Sequence, residues 1–268
     1  MDKKTKRTAL GLVIVIVLTA VAGLKIGHYM PLVGSHSSPP NSYVSPHYIL
    51  NAMKHTHAAN IVTAVLADYR GFDTLFETCV LFLSGIATMM VLSSKERVSP
   101  KRFLNQSEYH PKSSKSSYSG SYGGTVLQAS FRLIVPVVML YGIYVLFHGE
   151  LSLGGGFQAG ALVACAYLLD RIMPSFESRL GEFREEKLLV AAGLGVFVYA
   201  FTGILPMLFG GKFLEYSKLP FAFLVEHGEA GLHTTGILMI EIGVSICVAA
   251  VIMTILEVVL ERTDFEDE

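Results

Sequence analysis

This chain of 268 residues has no tryptophan, three cysteines and little charge: 16% of it is charged and 51% is hydrophobic. Each scarcity excludes something. Cys79, Cys165 and Cys247 lie far apart, each inside an apolar run. Without a C-x-x-C pair there is no ligand set for an iron–sulfur cluster or a zinc ion, and the three read as small buried apolar residues. His227 and His233 do not form H-E-x-x-H, and Gly154–Gly156 are not followed by Gly-Lys-Ser/Thr, so neither a zinc protease nor a phosphate loop is encoded. There is no G-x-S-x-G and no pair of aspartates within an apolar run, so an intramembrane enzyme is not expected. The chain is expected to be non-catalytic and to hold no metal and no cofactor. A net charge of -1 argues against a nucleic-acid partner. No lysine lies deep in any apolar run, and no inverted repeat with broken helices marks an independent carrier. Twelve tyrosines can take the interfacial role that tryptophan often fills.

Long apolar segments are abundant, and the mean hydropathy is +0.50. Six runs, roughly 8–24, 74–92, 127–147, 157–173, 188–210 and 235–258, are long enough to cross about 30 Å of hydrocarbon. They predict an all-α integral membrane protein of about six transmembrane helices. With the N-terminus inside, sixteen lysines and arginines fall on the cytoplasmic side and five, Lys25, Lys54, Arg70, Lys212 and Lys218, outside. The first run resembles a secretory signal, but this charge distribution requires it as a retained span. Both termini are then cytoplasmic. Residues 48–67 carry Ile49, Leu50, Met53, Ile61 and Val65 among Asn51, His55, His57 and Asn60, which predicts a short amphipathic helix at the outer surface.

Residues 105–125 are rich in serine, glycine and tyrosine and lack apolar periodicity, the composition of a flexible connector. It divides a two-span module, 1–104, from a four-span module, 126–268.

Two strings stand out. His148-Gly-Glu-Leu-Ser-Leu-Gly-Gly-Gly-Phe-Gln-Ala-Gly160 places three consecutive glycines between apolar runs. Such a run costs backbone entropy, and it is sensible where backbone passes close to backbone at the mouth of a bundle. His148 and Glu150 flank the crossing. The second string, Asn60 to Glu77, turns at Arg70-Gly71, and Asp73-Thr74 offers a cap for the next span. Asp68 and Asp73 flank Arg70 closely enough to pair with it. Local ion pairing and an ion-attracting mouth are both open readings.

Carboxylates inside apolar runs narrow the function. Glu77 lies about one turn into the second span and shares a helical face with Ser84 and Thr88. Glu241 sits in Ile240-Glu241-Ile242 with Thr234 and Ser245 on its face, too far along the helix to cap it. A carboxylate facing lipid would cost roughly 2.5–3.5 kcal/mol at mid-membrane, so both are expected to face protein or internal water. His148, at the outer end of the third span, belongs to a side-chain type that exchanges protons near neutral pH. The competing reading for each acid is a fixed hydrogen bond that serves assembly.

The first string resembles the His-Gly-x-x-Ser-Pro-Gly-Gly-Gly-Phe-Gln signature of the B-type subunit of Mrp-type sodium/proton antiporters, with Leu153 in place of the proline. The match includes Gly154, Gly155, Gly156 and Phe157. Glu241 stands in Ile-Glu-Ile-Gly-Val, where that family has Phe-Asp-x-Gly-Val. The second string, including Arg70 and Gly71, resembles the C-terminal two-helix piece of the large A-type antiporter subunit, with Tyr69 for the usual phenylalanine. In membrane-bound hydrogenases this piece is a separate small protein, the E-type subunit. The resemblance implies a fusion of that piece with a B-type subunit, working as an accessory subunit of an Mrp-type antiporter module. The module is expected within a hydrogenase- or sulfane-reductase-like respiratory complex in the cell membrane of a prokaryote. It further implies partners among other antiporter and hydrogenase-like subunits, contact with lipid, and an ion path for sodium ions and protons using Glu77, Glu241, His148, Asp73, Asp68 and Glu150. A scaffold that bridges antiporter subunits without moving ions is the alternative.

Overall fold

The computed structural model describes residues 3–30, 34–94, 124–172, 183–221 and 228–263. Most of the expected connector, the cations at 95–115, Arg179 and His227 lie outside the described residues; Gly124 and Thr125 already begin a helix. The described residues are helical, with no strand among them.

The chain divides into two compact units, Met1–Asn51 and Ala52–Glu268. The first contains α1 (Lys3–Tyr29), a 3-10 turn at Pro39–Asn41 and the start of α2 (Val44–Thr56). From Gly11 to Leu24 the helix α1 carries no charged side chain, and none of the stretch Gly11–Tyr29 is buried within the chain. A helix of this kind needs lipid or a neighbouring protein around it.

The second unit holds the end of α2, a short α3 (Ile61–Thr63), a π-helical turn (Ala64–Tyr69), and the helices α4 (Gly71–Ser94), α5 (Gly124–Phe147), α6 (Gly156–Ile172), α7 (Glu185–Leu208) and α8 (Gly228–Thr263). The amphipathic helix expected over 48–67 is therefore broken between Thr56 and Ile61. His57 takes a left-handed conformation with φ 58°, which ends α2. Asn60 then caps a new helix by accepting from the N–H of Val62 at 3.0 Å.

Among the described residues, five helices are long and apolar enough to cross a membrane, over the segments Gly11–Tyr29, Gly71–Leu92, Ser130–Phe147, Glu185–Leu208 and Gly228–Leu260. The sixth expected span corresponds to α6, whose 17 residues reach about 26 Å, at the short limit for a crossing. The chain is a multi-pass, all-α membrane protein.

Helix α8 runs through the middle of the second unit, against α4, α6 and α7. Its Ile237, Ile240, Val244, Cys247, Val248 and Val251 are buried. Glycines explain how closely its neighbours reach it. A Cβ at Gly195 of α7 would stand 2.5 Å from the carbonyl oxygen of Gly243, and one at Gly160 of α6 would stand 2.7 Å from that of Ser245. A Cβ at Gly156 would collide with the carbonyl oxygen of Glu241. With Gly156 and Gly160 four apart on one face, α6 lies backbone-to-backbone on α8, the close packing that helices in lipid use when apolar burial no longer drives association.

Candidate functional site

The site lies in the first half of α8, where the turn 148–156 and the segment 57–74 meet that helix. After α5 ends, the N–H groups of Leu151 and Ser152 return to the carbonyl of His148 at 3.1 and 2.9 Å, folding the chain back toward α6. The carbonyls on the inner side of this turn point to Asn60. The Asn60 side-chain amide donates to the carbonyls of Gly149 at 2.8 Å and Ser152 at 2.7 Å. The backbone N–H of Asn60 donates to the carbonyl of Glu150 at 2.8 Å. The Thr63 hydroxyl adds a bond to the Gly149 carbonyl at 2.7 Å. Polar backbone in an apolar setting must find partners, and here residues about ninety positions upstream provide them. The two strings singled out in the sequence are thus one structure.

Glu241 is 7% exposed and sits beneath this turn. A Cβ at position 149 would stand 2.7 Å from Glu241 Oε2, and one at position 155 would stand 3.2 Å from Glu241 Oε1. The glycine run is what lets the carboxylate fit under the backbone. Gly155 also has φ 141°, a conformation closed to most side chains. Glu241 Oε2 and Glu150 Oε1 are buried and have no hydrogen-bond partner among the described residues. Alongside Glu241 is a pocket with about 90 Å³ of room for water, lined among others by Thr63, Ala67, Thr74, Gln158 and Ile240. That space accommodates several waters beside the acid.

Glu150 lies in the turn, outside the spanning helices. Burial pushes its carboxyl up to about 7, while a contact from the Thr234 hydroxyl works in the other direction. Glu150 and Glu241 are also close enough to feel each other's charge. An acid that is half-protonated near neutral pH, next to a second buried acid and a water-sized pocket, can take up and release a proton or exchange it for a cation.

The other expected residues are placed as follows. Asp68 pairs with His233, Oδ2 to Nδ1 at 3.2 Å, rather than with Arg70. Asp73 pairs with Arg70 at 2.5 Å on the surface. Thr74 does not cap α4; its hydroxyl donates to the carbonyl of Leu66 at 2.7 Å. Gly71 packs under Leu214, and its carbonyl accepts from the Tyr199 hydroxyl at 2.5 Å. Phe157 packs against the buried cluster that includes Tyr216 and Ile240. His148 stacks on Tyr144, with ring centroids 4.0 Å apart and Nδ1 3.1 Å from the Tyr144 carbonyl oxygen. Glu77 lies on the exposed face of α4 with Phe76, Val80 and Leu83. The structure thus gathers Glu150, Glu241 and Gly154–Gly156, pairs Asp68 with His233 instead, and leaves Glu77, Asp73 and His148 outside the cluster.

Sequence reasoning missed several participants. Asn60 read as one polar residue of an amphipathic helix, Tyr216 was not singled out, and nothing pointed to Glu257. Near the far end of α8, Glu257 is 4% exposed. The Tyr167 hydroxyl donates to it, and Arg171 holds it with two bonds, Nε to Oε1 at 2.8 Å and Nη2 to Oε2 at 2.9 Å. The four-residue spacing of Tyr167 and Arg171, on one face of α6, was the available signal.

Comparison with known proteins gives this arrangement a setting. Residues 126–254 match a domain family related to the MnhB subunit of Na+/H+ antiporter, and residues 9–107 match the MbhE family, a subunit of MBH. A protein of Staphylococcus haemolyticus described as antiporter subunit mnhB2 is 33% identical over 135 residues, which span 49% of this chain and 90% of that protein. The structure of the membrane-bound sulfane sulfur reductase, an archaeal respiratory membrane complex, contains a chain 27% identical to this one; the match has a TM-score of 0.63 and covers 94% of this chain and 98% of that one. The structure of the Mrp complex from Dietzia sp. DQ12-45-1b contains a chain of the same fold, 23% identical with a TM-score of 0.65 over 96% of this chain, which spans 26% of that longer chain.

Proposed function

Because the chain belongs to the MnhB family of Na+/H+ antiporter subunits, we propose that it is a non-catalytic membrane subunit of a cation/proton antiporter module, contributing the Glu150–Glu241 site to the ion path. The observation that carries this reading is the buried Glu241 carboxylate under a glycine-only turn, with an unpartnered oxygen and room for water beside it. A scaffold needs its buried carboxylates satisfied; a path needs one that can exchange what it holds. The module belongs to a respiratory complex of the hydrogenase or sulfane-reductase kind. The match of the N-terminal segment to MbhE and the near-complete coverage of the sulfane reductase chain support this. Its partners are other antiporter-type subunits and hydrogenase-like subunits of that complex, its ions are sodium and protons, and lipid surrounds it. Both termini are cytoplasmic, a reading supported by the sixteen-to-five distribution of basic residues, and the membrane is a prokaryotic cell membrane, a reading supported by the likeness to a staphylococcal antiporter subunit and to a chain of an archaeal respiratory membrane complex.

The deciding experiment is Glu241→Gln in the assembled complex, with Na+/H+ exchange followed in everted membrane vesicles by a pH-sensitive dye. Loss of exchange with the composition of the complex unchanged is the expected result. Full exchange in the variant would remove the ion-path reading and leave the chain a scaffold.

A further inference from the structure

The pocket beside Glu241 is walled unevenly. On the side of the glycine turn there is no gap: a Cβ at position 149 would stand 2.7 Å from Glu241 Oε2, and the Asn60 amide ties down the carbonyls of Gly149 and Ser152. On the side of α6, backbone lies on the backbone of α8, with no room for a Cβ at Gly156 or Gly160. Ile240 and Val244 line the pocket at 1% and 2% exposed, and Thr63, Ala67 and Thr74 are buried as well. Three lining residues differ. Val62 is 47% exposed, Leu66 is 42% exposed, and Gln158 is exposed too. The pocket therefore opens through one flank, between the π-helical turn with the residues just before it and the first turn of α6.

The two sides of this mouth differ in chemistry. The π-helical turn is held in place from within. The N–H of Arg70 reaches the carbonyl of Val65 at 2.8 Å, the Thr74 hydroxyl donates to the carbonyl of Leu66 at 2.7 Å, and the Tyr216 hydroxyl donates to the carbonyl of Ala67. This side presents the apolar Val62 and Leu66. The opposite side presents Gln158, whose side chain has no hydrogen bond among the described residues. Its amide and the Glu241 carboxylate converge over Gly155: a Cβ built there would stand 3.4 Å from Gln158 Oε1 and 3.2 Å from Glu241 Oε1. The hydroxyls of Thr63 and Thr74 already donate to the carbonyls of Gly149 and Leu66. The Gln158 amide is thus the lining donor left to meet whatever enters. It offers donors and an acceptor and carries no charge, so it can hold a water or share in the shell of a cation without competing for the proton.

We propose that Glu241 takes up and releases its proton or cation through this mouth, and that the Gln158 amide holds the water or the ion at the threshold. The inference rests on the ion-path reading of Glu241. A buried carboxylate with an unpartnered oxygen needs a wet route to change what it holds. The turn side and the α6 side are closed by backbone contacts that no side-chain rotation opens. The flank is bounded by side chains, and side chains can move aside.

The test uses Gln158→Leu and Leu66→Cys in the assembled complex, alongside Glu241→Gln and the unchanged protein. Gln158→Leu keeps the reach of the side chain at an exposed position and removes its polar atoms. It takes away a hydrogen bond to a charged group, so exchange in everted vesicles is expected to fall at least about tenfold with the composition of the complex unchanged. Leu66→Cys is compared before and after treatment with a small cationic methanethiosulfonate. The reagent needs a thiolate, which forms where water reaches the thiol, so position 66 is expected to be modified and exchange lost on treatment. The unchanged protein, treated alike, reports any effect through Cys79, Cys165 and Cys247. Mass spectrometry of the treated complex shows whether position 66 carries the adduct. No adduct, or an adduct that leaves exchange intact, overturns the mouth. Full exchange in Gln158→Leu overturns the part given to the amide. With Glu241→Gln inactive, both failures leave the Glu241 site standing; full exchange in Glu241→Gln overturns the site itself. If Leu66→Cys does not assemble, Val62→Cys on the same rim decides by the same readings.

Discussion

Replacing Asn60 with alanine should release the glycine turn from the segment that clasps it. The cap on the Val62 N–H is lost, and so are the amide's two N–H donors, which the carbonyls of Gly149 and Ser152 and the Thr63 hydroxyl oxygen share. A lost cap costs about 1 kcal/mol, and each lost hydrogen bond about 0.5–1.5 kcal/mol. The Gly149 carbonyl keeps its bond from Thr63 at 2.7 Å, so only the Ser152 carbonyl is at risk of losing its partner altogether. The total is about 2–4 kcal/mol in favour of local opening, which corresponds to roughly thirty- to several-hundred-fold faster amide exchange in the turn. Hydrogen–deuterium exchange of the peptide covering 148–156, measured in the detergent-solubilised complex, reads this directly. Asn60→Asp separates the causes: it keeps the cap acceptor but removes both donors and sets a carboxylate against two carbonyls. It should open the turn at least as much as alanine does. A rise of less than about threefold in Asn60→Ala would mean that the turn is held by something other than this side chain, and the clasp would be wrong.

Gly156→Ala would drive a methyl group into the carbonyl of Glu241. Overpacking of this kind costs about 1–3 kcal/mol, offset by up to about 1 kcal/mol of helix propensity, so a lower midpoint of thermal unfolding is expected, and an unchanged one would contradict the backbone contact. Glu150 makes a pH prediction. With its folded-state pKa raised from 4.5 to about 7, the folded form holds the proton more tightly than the unfolded form. Stability from this group is therefore fully present below pH 4.5 and declines as pH rises toward 7. Glu150→Gln should remove that slope from a series of thermal midpoints taken across this range, and a slope that persists would assign it to another group.

How far the sequence reached depended on whether a local pattern had a single spatial meaning. Glycines 154–156 implied close backbone approach, and the approach is there, because only a missing side chain lets Glu241 and α8 come so near. Glu77 shows where a pattern was insufficient. Its helix is apolar on nearly every side, so nothing along α4 marks which face turns inward, and the acid lies with Phe76, Val80 and Leu83 on the exposed face. The break at His57 was hidden because a left-handed histidine has no reliable sequence mark, unlike a glycine. The reach of Asn60 to Gly149 spans 89 positions, a distance over which a single sequence supplies no pairing information.

Two acids on α8 argue from opposite ends what each is for. Glu241 and Glu257 are sixteen residues apart, about 24 Å along the helix axis. Both are more than nine-tenths buried. Glu257 accepts from a tyrosine and from a two-pronged arginine, so both of its oxygens are engaged by fixed donors. Such a pair ties α6 to α8, and removing one partner would strand the other. Glu241 lies beneath the carbonyl-rich turn and glycine Cα atoms, with one oxygen unpartnered, and Glu150 nearby also has one unpartnered oxygen. Nothing around it requires a permanent negative charge. Within one helix, then, burial alone does not distinguish a structural carboxylate from an exchanging one; the neighbours do. The same criterion applies to Glu77, whose role depends on which group a neighbouring protein sets against the exposed face of α4.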